Sequence, residues 1–313
     1  MAMTQTALVF AGQGAQAVGM GRSFVETCPG ARAWFDRANT ILGYDLAKIC
    51  FEGPESELTK TEHAQPAIFV VGWIAFQLLQ ESLPSLRFGA TAGLSLGEFT
   101  ALAAARALSF EDGLKVVRHR GQLMQKAAET TKGGMAAIIG LDEPATREVC
   151  AEAGVELANL NCPGQIVISG EVDKLPRACE LAKAKGAKKA LPLAVAGAFH
   201  SKLASSAQPG LRTILESTTI SPPNVPVVSN VTARPHGTPA EIRELLVQQV
   251  TASVRWEESM RYLLSQGFTR FIELGPGTAL SGFMRRIDKS AQMLNVADAE
   301  TLEKTKVDLT QPG

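Results

Sequence analysis

The chain has 313 residues, of which 45% are hydrophobic, so it can bury one large core or two unequal ones. Its 31 basic and 31 acidic residues cancel, which leaves no net field to attract nucleic acid or an anionic membrane, and we expect neither as a partner. The five cysteines are scattered without a C-x-x-C pair and there are only four histidines, so we expect no metal site and reduced thiols in a cytoplasmic protein.

The first part of the chain alternates between strand and helix patterns. In order, it predicts a strand at Ala7–Phe10, helices at Ala31–Leu42 and Ala67–Leu79, a strand at Gly89–Gly93, a helix from Glu98 to Leu108 and a long amphipathic helix at Phe110–Thr130. The run Ala67–Leu79 is too short to span a bilayer, and residues 1–6 lack the basic residues of a secretory signal. Alternation of this kind is typical of an α/β fold with a mostly parallel sheet.

The pattern changes between residues 133 and 196. It predicts a strand, a helix, two strands, a helix and a strand, at Met135–Leu141, Pro144–Ala153, Val155–Asn161, Gln165–Ser169, Val172–Lys185 and Lys188–Val195. A hairpin turn by composition, residues 161–164, joins the two middle strands. The β-α-β-β-α-β order predicts a small ferredoxin-like subdomain at 133–196, inserted into a larger α/β subdomain formed by 1–132 and 197–313.

The larger subdomain resumes after residue 196. We predict helices at Ser201–Glu216, Ala240–Val250 and Met260–Gln266, strands at Val225–Ser229 and Arg270–Leu274, and a helix after the tight turn Gly275–Gly277. The polar tail from Ala297 onward is predicted to be peripheral.

Ser95 lies in Gly93-Leu94-Ser95-Leu96-Gly97, the G-x-S-x-G pattern of a nucleophile elbow. Glycines on either side relieve crowding at a sharp strand-to-helix turn. The hydroxyl would then lie at a helix N-terminus, where free N–H groups can stabilise an oxyanion. The pattern favours acyl transfer through an acyl-enzyme, although two glycines and a serine at this spacing also recur by chance.

A serine hydroxyl needs a base within hydrogen-bond reach, most often histidine. His119 lies between two arginines on a helix, His63 in a polar stretch and His236 in a loop, and each is predicted to be a solvated surface residue. His200 follows an apolar strand through Gly197-Ala198-Phe199, at a strand end where catalytic groups are common. We predict that His200 is the base, with a half-buried structural histidine as the alternative.

Six motifs occur in order along the chain: Gly12-Gln13-Gly14-Ala15-Gln16, Gly93-Leu94-Ser95-Leu96-Gly97-Glu98, Arg120-Gly121-Gln122-Leu123-Met124-Gln125, Asn159-Leu160-Asn161-Cys162-Pro163-Gly164-Gln165, Gly197-Ala198-Phe199-His200-Ser201 and Glu273-Leu274-Gly275-Pro276-Gly277. Together they resemble the malonyl-CoA:acyl carrier protein transacylase family, over about residues 6–287. The resemblance implies an enzyme that loads malonyl groups for fatty acid synthesis. It also implies an α/β-hydrolase-like large subdomain with a ferredoxin-like small one.

The resemblance assigns catalytic roles to five positions. Ser95 is expected to be the nucleophile and His200 the general acid and base, as a dyad without a carboxylate. The main-chain carbonyl of Gln249 is expected to orient His200. The backbone N–H groups of Gln13 and Leu96 are expected to form the oxyanion hole.

The resemblance also implies which residues select the acyl group. Arg120, which by itself reads as a solvated cation on a helix face, is expected to bind the free carboxylate of malonyl, because its planar fork offers parallel hydrogen bonds. Gln65 and Asn161 are expected near the pocket, and Leu94 stands where the family usually has histidine. Phe199 is expected to exclude the branch methyl of methylmalonyl by size.

The expected partners are malonyl-CoA and acyl carrier protein, with no cofactor, and the chain is expected to be a monomer. Four alternatives remain open: a serine hydrolase or thioesterase, a transacylase of polyketide synthesis, a carrier-binding module without catalysis, and a dinucleotide-binding oxidoreductase. The last rests on Gly12-x-Gly14-x-x-Ala17 after the first strand, which is a weak signal by itself.

Overall fold

The computed structural model describes residues 5–310. Its strands are β1 Gln5–Phe10, β2 Ala90–Gly93, β3 Gly133–Ile139, β4 Glu156–Cys162, β5 Gln165–Glu171, β6 Lys189–Pro192, β7 Val227–Val228, β8 Phe268–Leu274 and β9 Gln292–Val296. Its α-helices are α1 Arg22–Thr27, α2 Ala31–Leu42, α3 Leu46–Glu52, α4 Glu55–Leu58, α5 Thr61–Ser82, α6 Gly97–Ala104, α7 Phe110–Thr130, α8 Glu143–Ala153, α9 Leu175–Ala184, α10 Gln208–Ser217, α11 Pro239–Gln249, α12 Trp256–Ser265, α13 Ala279–Ile287 and α14 Ala299–Thr310.

The larger sheet has five strands in the order β7-β2-β1-β8-β9, and every neighbouring pair is parallel. Phe10, at the end of β1, is paired in register with Gly93 on one side and with Leu274 on the other. The loops that follow β1, β2 and β8 therefore leave the same edge of the sheet. In parallel α/β sheets this carboxyl edge is where ligands bind.

Both faces of the larger sheet are covered, as parallel sheets require. Side chains of β1 alternate between two cores: Leu8 and Phe10 join the cluster that includes Phe69 of α5, whereas Val9 joins the one that contains Trp256 of α12. Hydrophobic clusters therefore cover both faces of the sheet, and a ligand site is expected at its carboxyl edge.

The smaller sheet is antiparallel and has the strand order β4-β5-β3-β6. With α8 and α9 on one face it is the β-α-β-β-α-β unit predicted from the sequence, and it has its own core, which includes Ile138, Val149, Ile168 and Leu175. The prediction of an α/β fold with a parallel sheet and a separate antiparallel one is confirmed. The subdomain limits at 133–196 enclose all four strands and stay a prediction; residues 1–4 and 311–313 lie outside the described range.

The two sheets are joined beside the carboxyl edge of the larger one. The backbone of Val254, after α11, pairs with β4: Leu160 N–H donates to its carbonyl at 2.9 Å, and its own N–H donates to the Ala158 carbonyl at 2.8 Å. The smaller sheet is therefore fixed next to the loops that follow β1 and β2.

Two sequence expectations about the second half were wrong. The helix expected at Ser201–Glu216 is divided into a 3₁₀ helix, Lys202–Ala207, and α10, because Pro209 lacks the N–H that would continue one helix and instead begins the next. The tail is not peripheral. After Ala297 the chain forms α14, on which Leu302 is buried and the Thr305 hydroxyl donates to the Asn295 carbonyl of β9 at 2.9 Å.

None of the helices between residues 5 and 310 combines the length and hydropathy that a bilayer crossing needs. In the same part of the chain no three His, Cys, Asp or Glu side chains are grouped so as to hold a metal ion. All five cysteines are free thiols, and four of them are buried.

Candidate active site

A cavity of about 520 Å³ lies between the two sheets. A volume of this size is typical of sites for small organic ligands. Residues from both subdomains line it, among them Gln13, Leu94, Ser95, Met124 and Phe283 from the larger, Asn159, Asn161, Val167 and Leu193 from the smaller, and Phe199 and His200 from the segment that connects them. The candidate site is therefore built where the two units meet.

Ser95 lies between β2 and α6 with a φ of 52°, a left-handed conformation that is rare for a residue with a side chain. The turn is sharp enough that a Cβ built on Gly93 would lie 1.9 Å from the Gly97 carbonyl carbon, and one on Gly97 would lie 2.2 Å from the Phe10 carbonyl oxygen. Only glycine fits at either position, because the opposing atoms are backbone and cannot move aside. The strained geometry exposes the hydroxyl to the cavity, as in a nucleophile elbow.

The side chain of Asn230 holds the backbone of this elbow through two hydrogen bonds. Its Oδ1 accepts a hydrogen bond from the Ser95 N–H at 2.6 Å, and its Nδ2 donates to the Gly93 carbonyl at 2.8 Å. The side chain is fully buried, so both bonds are protected from water and hold the elbow in its strained conformation. Sequence reasoning missed Asn230, which has no motif of its own.

The Ser95 hydroxyl oxygen lies 2.9 Å from His200 Nε2. His200 Nδ1 lies 2.9 Å from the Gln249 carbonyl and 3.2 Å from the Ala252 carbonyl. Gln249 is the last residue of α11, where carbonyl groups have no partner within the helix. Because carbonyls only accept, Nδ1 carries the proton, and Nε2 is left with the lone pair that can accept the serine proton.

Burial, and after it the positive charge of Arg120, lowers the pKa of His200 to about 4, although the hydrogen bonds to the Gln249 and Ala252 carbonyls act in the opposite direction. The imidazole is therefore neutral near pH 7. No carboxylate lies within ion-pair distance of His200 in the described part of the chain. The pair is a dyad, with carbonyls in the place where a triad has an acid.

Arg120 is not a solvated cation, as its sequence context alone suggested: it is 1% exposed. It lies on the buried face of α7, one turn from Val116 and from Met124, and this spacing is the signal that places it inside. Its Nη1 donates to Gln65 Oε1 at 2.7 Å, and its Nη2 donates to Ser95 Oγ at 3.0 Å.

The guanidinium of Arg120 also lies over the Phe99 ring, 5.4 Å from its centroid, and Nη2 donates to Gln249 Oε1 at 3.0 Å. Burial lowers the pKa of Arg120 to about 10, and the negative charge of Glu98 acts against that decrease. Arg120 therefore remains a cation near pH 7. Its Nε–H is buried and has no acceptor among residues 5–310.

Two backbone N–H groups near the Ser95 hydroxyl are free to bind a ligand. The N–H groups of Gln13, in the loop after β1, and of Leu96, the N-cap of α6, donate no hydrogen bond within residues 5–310. The N–H of Ser95 itself is occupied by Asn230. Donors at a helix N-terminus that have no acceptor of their own suit the stabilisation of an oxyanion.

The four residues expected in the acyl pocket fall into two groups. Leu94, Asn161 and Phe199 line the cavity, and Asn161 Oδ1 has no hydrogen-bond donor in the described chain. Gln65 does not line the cavity: it is fully buried, and its Oε1 contacts Arg120. Arg120 is likewise absent from the cavity lining, and the cavity reaches this buried pair through Ser95, to which Arg120 donates.

The remaining histidines differ in part from the sequence expectation. His119 is exposed, as predicted. His63 is half-buried, with Nδ1 3.0 Å from the Glu57 carbonyl, and His236 is buried, with Nε2 2.7 Å from Glu98 Oε1. For these two the expectation of a solvated surface residue was wrong, because His63 packs against Tyr44 and His236 pairs with the buried carboxylate of Glu98.

Glu98 ends the second of the six sequence motifs, but no role was predicted for it. Its carboxylate is fully buried on α6 and accepts hydrogen bonds from the Asn230 N–H at 2.9 Å and from Gln249 Nε2 at 2.8 Å, in addition to His236. The signal was present: it is the one charged residue of a helix whose other members are small or apolar. A carboxylate in such a helix must find donors inside the protein.

The known proteins that this chain resembles are consistent with this geometry. A family model of the acyl transferase domain matches residues 7–311. The malonyl CoA-acyl carrier protein transacylase of Bacillus subtilis is 44% identical over 306 residues, which cover 96% of each chain. The solved malonyl CoA-acyl carrier protein transacylase of Coxiella burnetii is 35% identical, covers 98% of both chains and superposes with a TM-score of 0.95. A malonyl transacylase solved in complex with a type II polyketide synthase acyl carrier protein is 36% identical, with a TM-score of 0.94 over 97% of this chain and 100% of that one.

Proposed function

This chain belongs to the acyl transferase domain family, and we propose that it transfers a malonyl group from malonyl-CoA to the phosphopantetheine thiol of acyl carrier protein. The observation that carries the proposal is the convergence on one oxygen: His200 Nε2 and Arg120 Nη2 both lie within hydrogen-bond distance of Ser95 Oγ. A base and a buried cation at one serine suit an acyl group that bears a carboxylate.

In the first half-reaction, the neutral His200 takes the Ser95 proton at Nε2 as Ser95 Oγ attacks the thioester carbon. The carbonyl oxygen becomes an oxyanion, for which the free N–H groups of Gln13 and Leu96 are the donors. The tetrahedral intermediate collapses by breaking the carbon–sulfur bond. The proton on Nε2 passes to the CoA sulfur, CoA leaves as the thiol, and the malonyl group remains on Ser95 as an ester.

The second half-reaction runs through the same groups in the opposite sense. The phosphopantetheine thiol gives its proton to His200 Nε2, and its sulfur attacks the malonyl ester. The carbon–oxygen bond to Ser95 breaks, and the proton returns from Nε2 to Ser95 Oγ. Because CoA leaves before the carrier binds, the kinetics are ping-pong.

The role of Arg120 is to bind the second carboxylate of the malonyl group. The guanidinium donates to Gln65, Ser95 and Gln249, and its Nε–H has no acceptor within residues 5–310, so a malonyl carboxylate could be bound with the Gln65 contact kept. The cation also disfavours acyl groups that lack a carboxylate, because those leave it buried without a counter-charge. Phe199 lines the cavity, where its ring would exclude by size an acyl group that carries a methyl branch.

The proposal is tested by intact-protein mass spectrometry after incubation with malonyl-CoA. We expect one malonyl adduct on the wild-type chain and none on Ser95→Ala. Addition of carrier protein with its phosphopantetheine arm should move the adduct from the enzyme to the carrier. Absence of an adduct on the wild type, or an adduct that persists in Ser95→Ala, would show that the mechanism is wrong.

The same experiment separates a transferase from a thioesterase. The dyad has carbonyls rather than a carboxylate on the imidazole, and Arg120 reserves the site for anionic acyl groups, which supports transfer. Release of free malonate faster than transfer to carrier protein would favour hydrolysis instead.

We also propose the setting of the reaction. All the groups used above are amino-acid side chains and backbone of one chain, so neither a cofactor nor a second subunit is required, and we assign the activity to a monomer. Free thiols and a CoA substrate fit the cytoplasm. The carrier protein of fatty acid synthesis is the assigned acceptor, and the polyketide carrier is the alternative.

A further inference from the structure

We propose that Glu98 is a positioning residue for Arg120: its carboxylate fixes the side-chain amide of Gln249, which in turn holds the guanidinium beside Ser95 and sustains the preference for malonyl. The inference rests on the proposed role of Arg120 in binding the malonyl carboxylate. Glu98 itself has no contact with the cavity.

The amide of Gln249 joins two buried charges of opposite sign. Its Oε1 accepts from Arg120 Nη2 at 3.0 Å, and its Nε2 donates to Glu98 Oε2 at 2.8 Å and to the Ser95 carbonyl at 3.0 Å. If the amide were rotated by 180°, its oxygen would face two other acceptors, Glu98 Oε2 and the Ser95 carbonyl. Its N–H groups would then face the N–H groups of Arg120. Glu98 and the Ser95 carbonyl therefore select the single orientation in which an oxygen faces Arg120.

The carboxylate is itself held rigidly. His236 Nε2 and the Asn230 N–H donate to its two oxygens at 2.7 and 2.9 Å, and Glu98 is 0% exposed. With Gln249 this makes three donors for one buried anion, which is the condition for a charge to remain inside a protein. The Glu98 carboxylate is therefore fixed in place. It holds the Gln249 amide, and the Gln249 amide in turn holds the Arg120 guanidinium.

The negative charge also contributes at a distance. Arg120 has no carboxylate in direct contact within the described residues, and Glu98 is the carboxylate whose field opposes the loss of its charge. An amide in place of that carboxylate removes the field and introduces an N–H group among three donors. At least one donor then loses its acceptor, and the Gln249 amide is free to rotate away from Arg120.

The test compares acylation of Ser95 by malonyl-CoA and by acetyl-CoA, followed as adduct formation by intact mass. For Glu98→Gln we expect the ratio of malonyl to acetyl acylation rates to fall by about tenfold or more, as expected for a weakened hydrogen bond to a charged group. Arg120→Met is the reference variant and should lose the preference. In the double variant, Glu98→Gln should lower the ratio no further, because the two residues act in series.

The outcomes separate this inference from the proposed function. If Arg120→Met leaves the ratio unchanged, the carboxylate-binding role of Arg120 is wrong. If Arg120→Met lowers the ratio but Glu98→Gln does not, or Glu98→Gln slows both acyl groups equally, the positioning role alone is overturned. Should Glu98→Gln fail to fold, Gln249→Met, which keeps the carbonyl that orients His200, must show the same fall in the ratio.

Discussion

Arg120 Nη2 donates a hydrogen bond to Ser95 Oγ at 3.0 Å, and His200 Nε2 lies 2.9 Å from the same oxygen. Since the serine oxygen accepts from the guanidinium, its own proton is directed to the lone pair on Nε2. The cation therefore orients the serine hydroxyl and helps to keep the base neutral. In the proposed mechanism, this buried arginine would couple substrate selection to activation of the serine.

Removal of the base should slow acylation without preventing it. For His200→Ala we expect the malonyl-enzyme to form about 10²–10⁴ times more slowly, because a positioned general base contributes that much while the elbow and the oxyanion donors remain. Stopped-flow acylation of the variant measures the loss. A rate within a few-fold of wild type, with an unchanged unfolding temperature, would contradict the assignment.

The acid limit of acylation should lie well below the ordinary pKa of histidine. Only neutral His200 can take the serine proton, so kcat/KM should be constant above the lowered pKa and fall as the pH decreases through about 4. The measurement is kcat/KM for acetyl-CoA after a rapid pH jump, because acetyl carries no carboxylate that titrates in this range. A decrease in kcat/KM that is centred near pH 6.5 would contradict the assignment.

Arg120→Met should move this acid limb to higher pH. The positive charge of Arg120 lowers the pKa of His200, so its removal raises that pKa and the base becomes protonated at a less acidic pH. The direction is fixed by the sign of the charge. A limb that stays in place, or moves to lower pH, would show that the two residues are not electrostatically coupled.

Gly97→Ala should disrupt the elbow, whereas Gly282→Ala should not. A Cβ on Gly97 would lie 2.2 Å from the Phe10 carbonyl oxygen, so we expect a loss of about 1–3 kcal/mol in the free energy of unfolding and loss of acylation. Gly282, within α13, has no atom within 4 Å of the added Cβ, and alanine there should stabilise the helix by up to about 1 kcal/mol. Denaturant titration and adduct formation measure both variants.

Phe199→Ala should relax the discrimination against methylmalonyl-CoA. A pocket that rejects one methyl group by size does so by about 1–3 kcal/mol, so the ratio of malonyl to methylmalonyl acylation should fall by about tenfold or more. Phe283→Ala enlarges the same cavity from α13 and serves as the matched control. An equal change in both variants would show that cavity volume, rather than the position of Phe199, sets the selectivity.

The order of elements was readable from the sequence because it depends on local patterns. The period-2 and period-3.6 repeats of apolar residues predicted both sheets, and the ends of α2 and α7 agree with the predicted runs. Less local features were missed. Strand β9 is short and half-exposed, and it forms only because β8 offers it an edge, while the break before α10 depends on a single proline.

The sequence by itself determined the candidate nucleophile and its turn, since Gly93, Ser95 and Gly97 are adjacent and their conformational requirements act over a few residues. It also singled out His200 as the candidate base, whereas Arg120 was assigned only through the family resemblance, and both roles stay predictions. Only the tertiary structure decided that Glu98, Asn230 and the Gln249 side chain surround them. Asn230 and Gln249 lie 132 and 151 positions from Glu98 along the chain, so no local pattern connects them to it. Their hydrogen bonds are strong because all three residues are buried away from water, and that burial exists only in the folded chain.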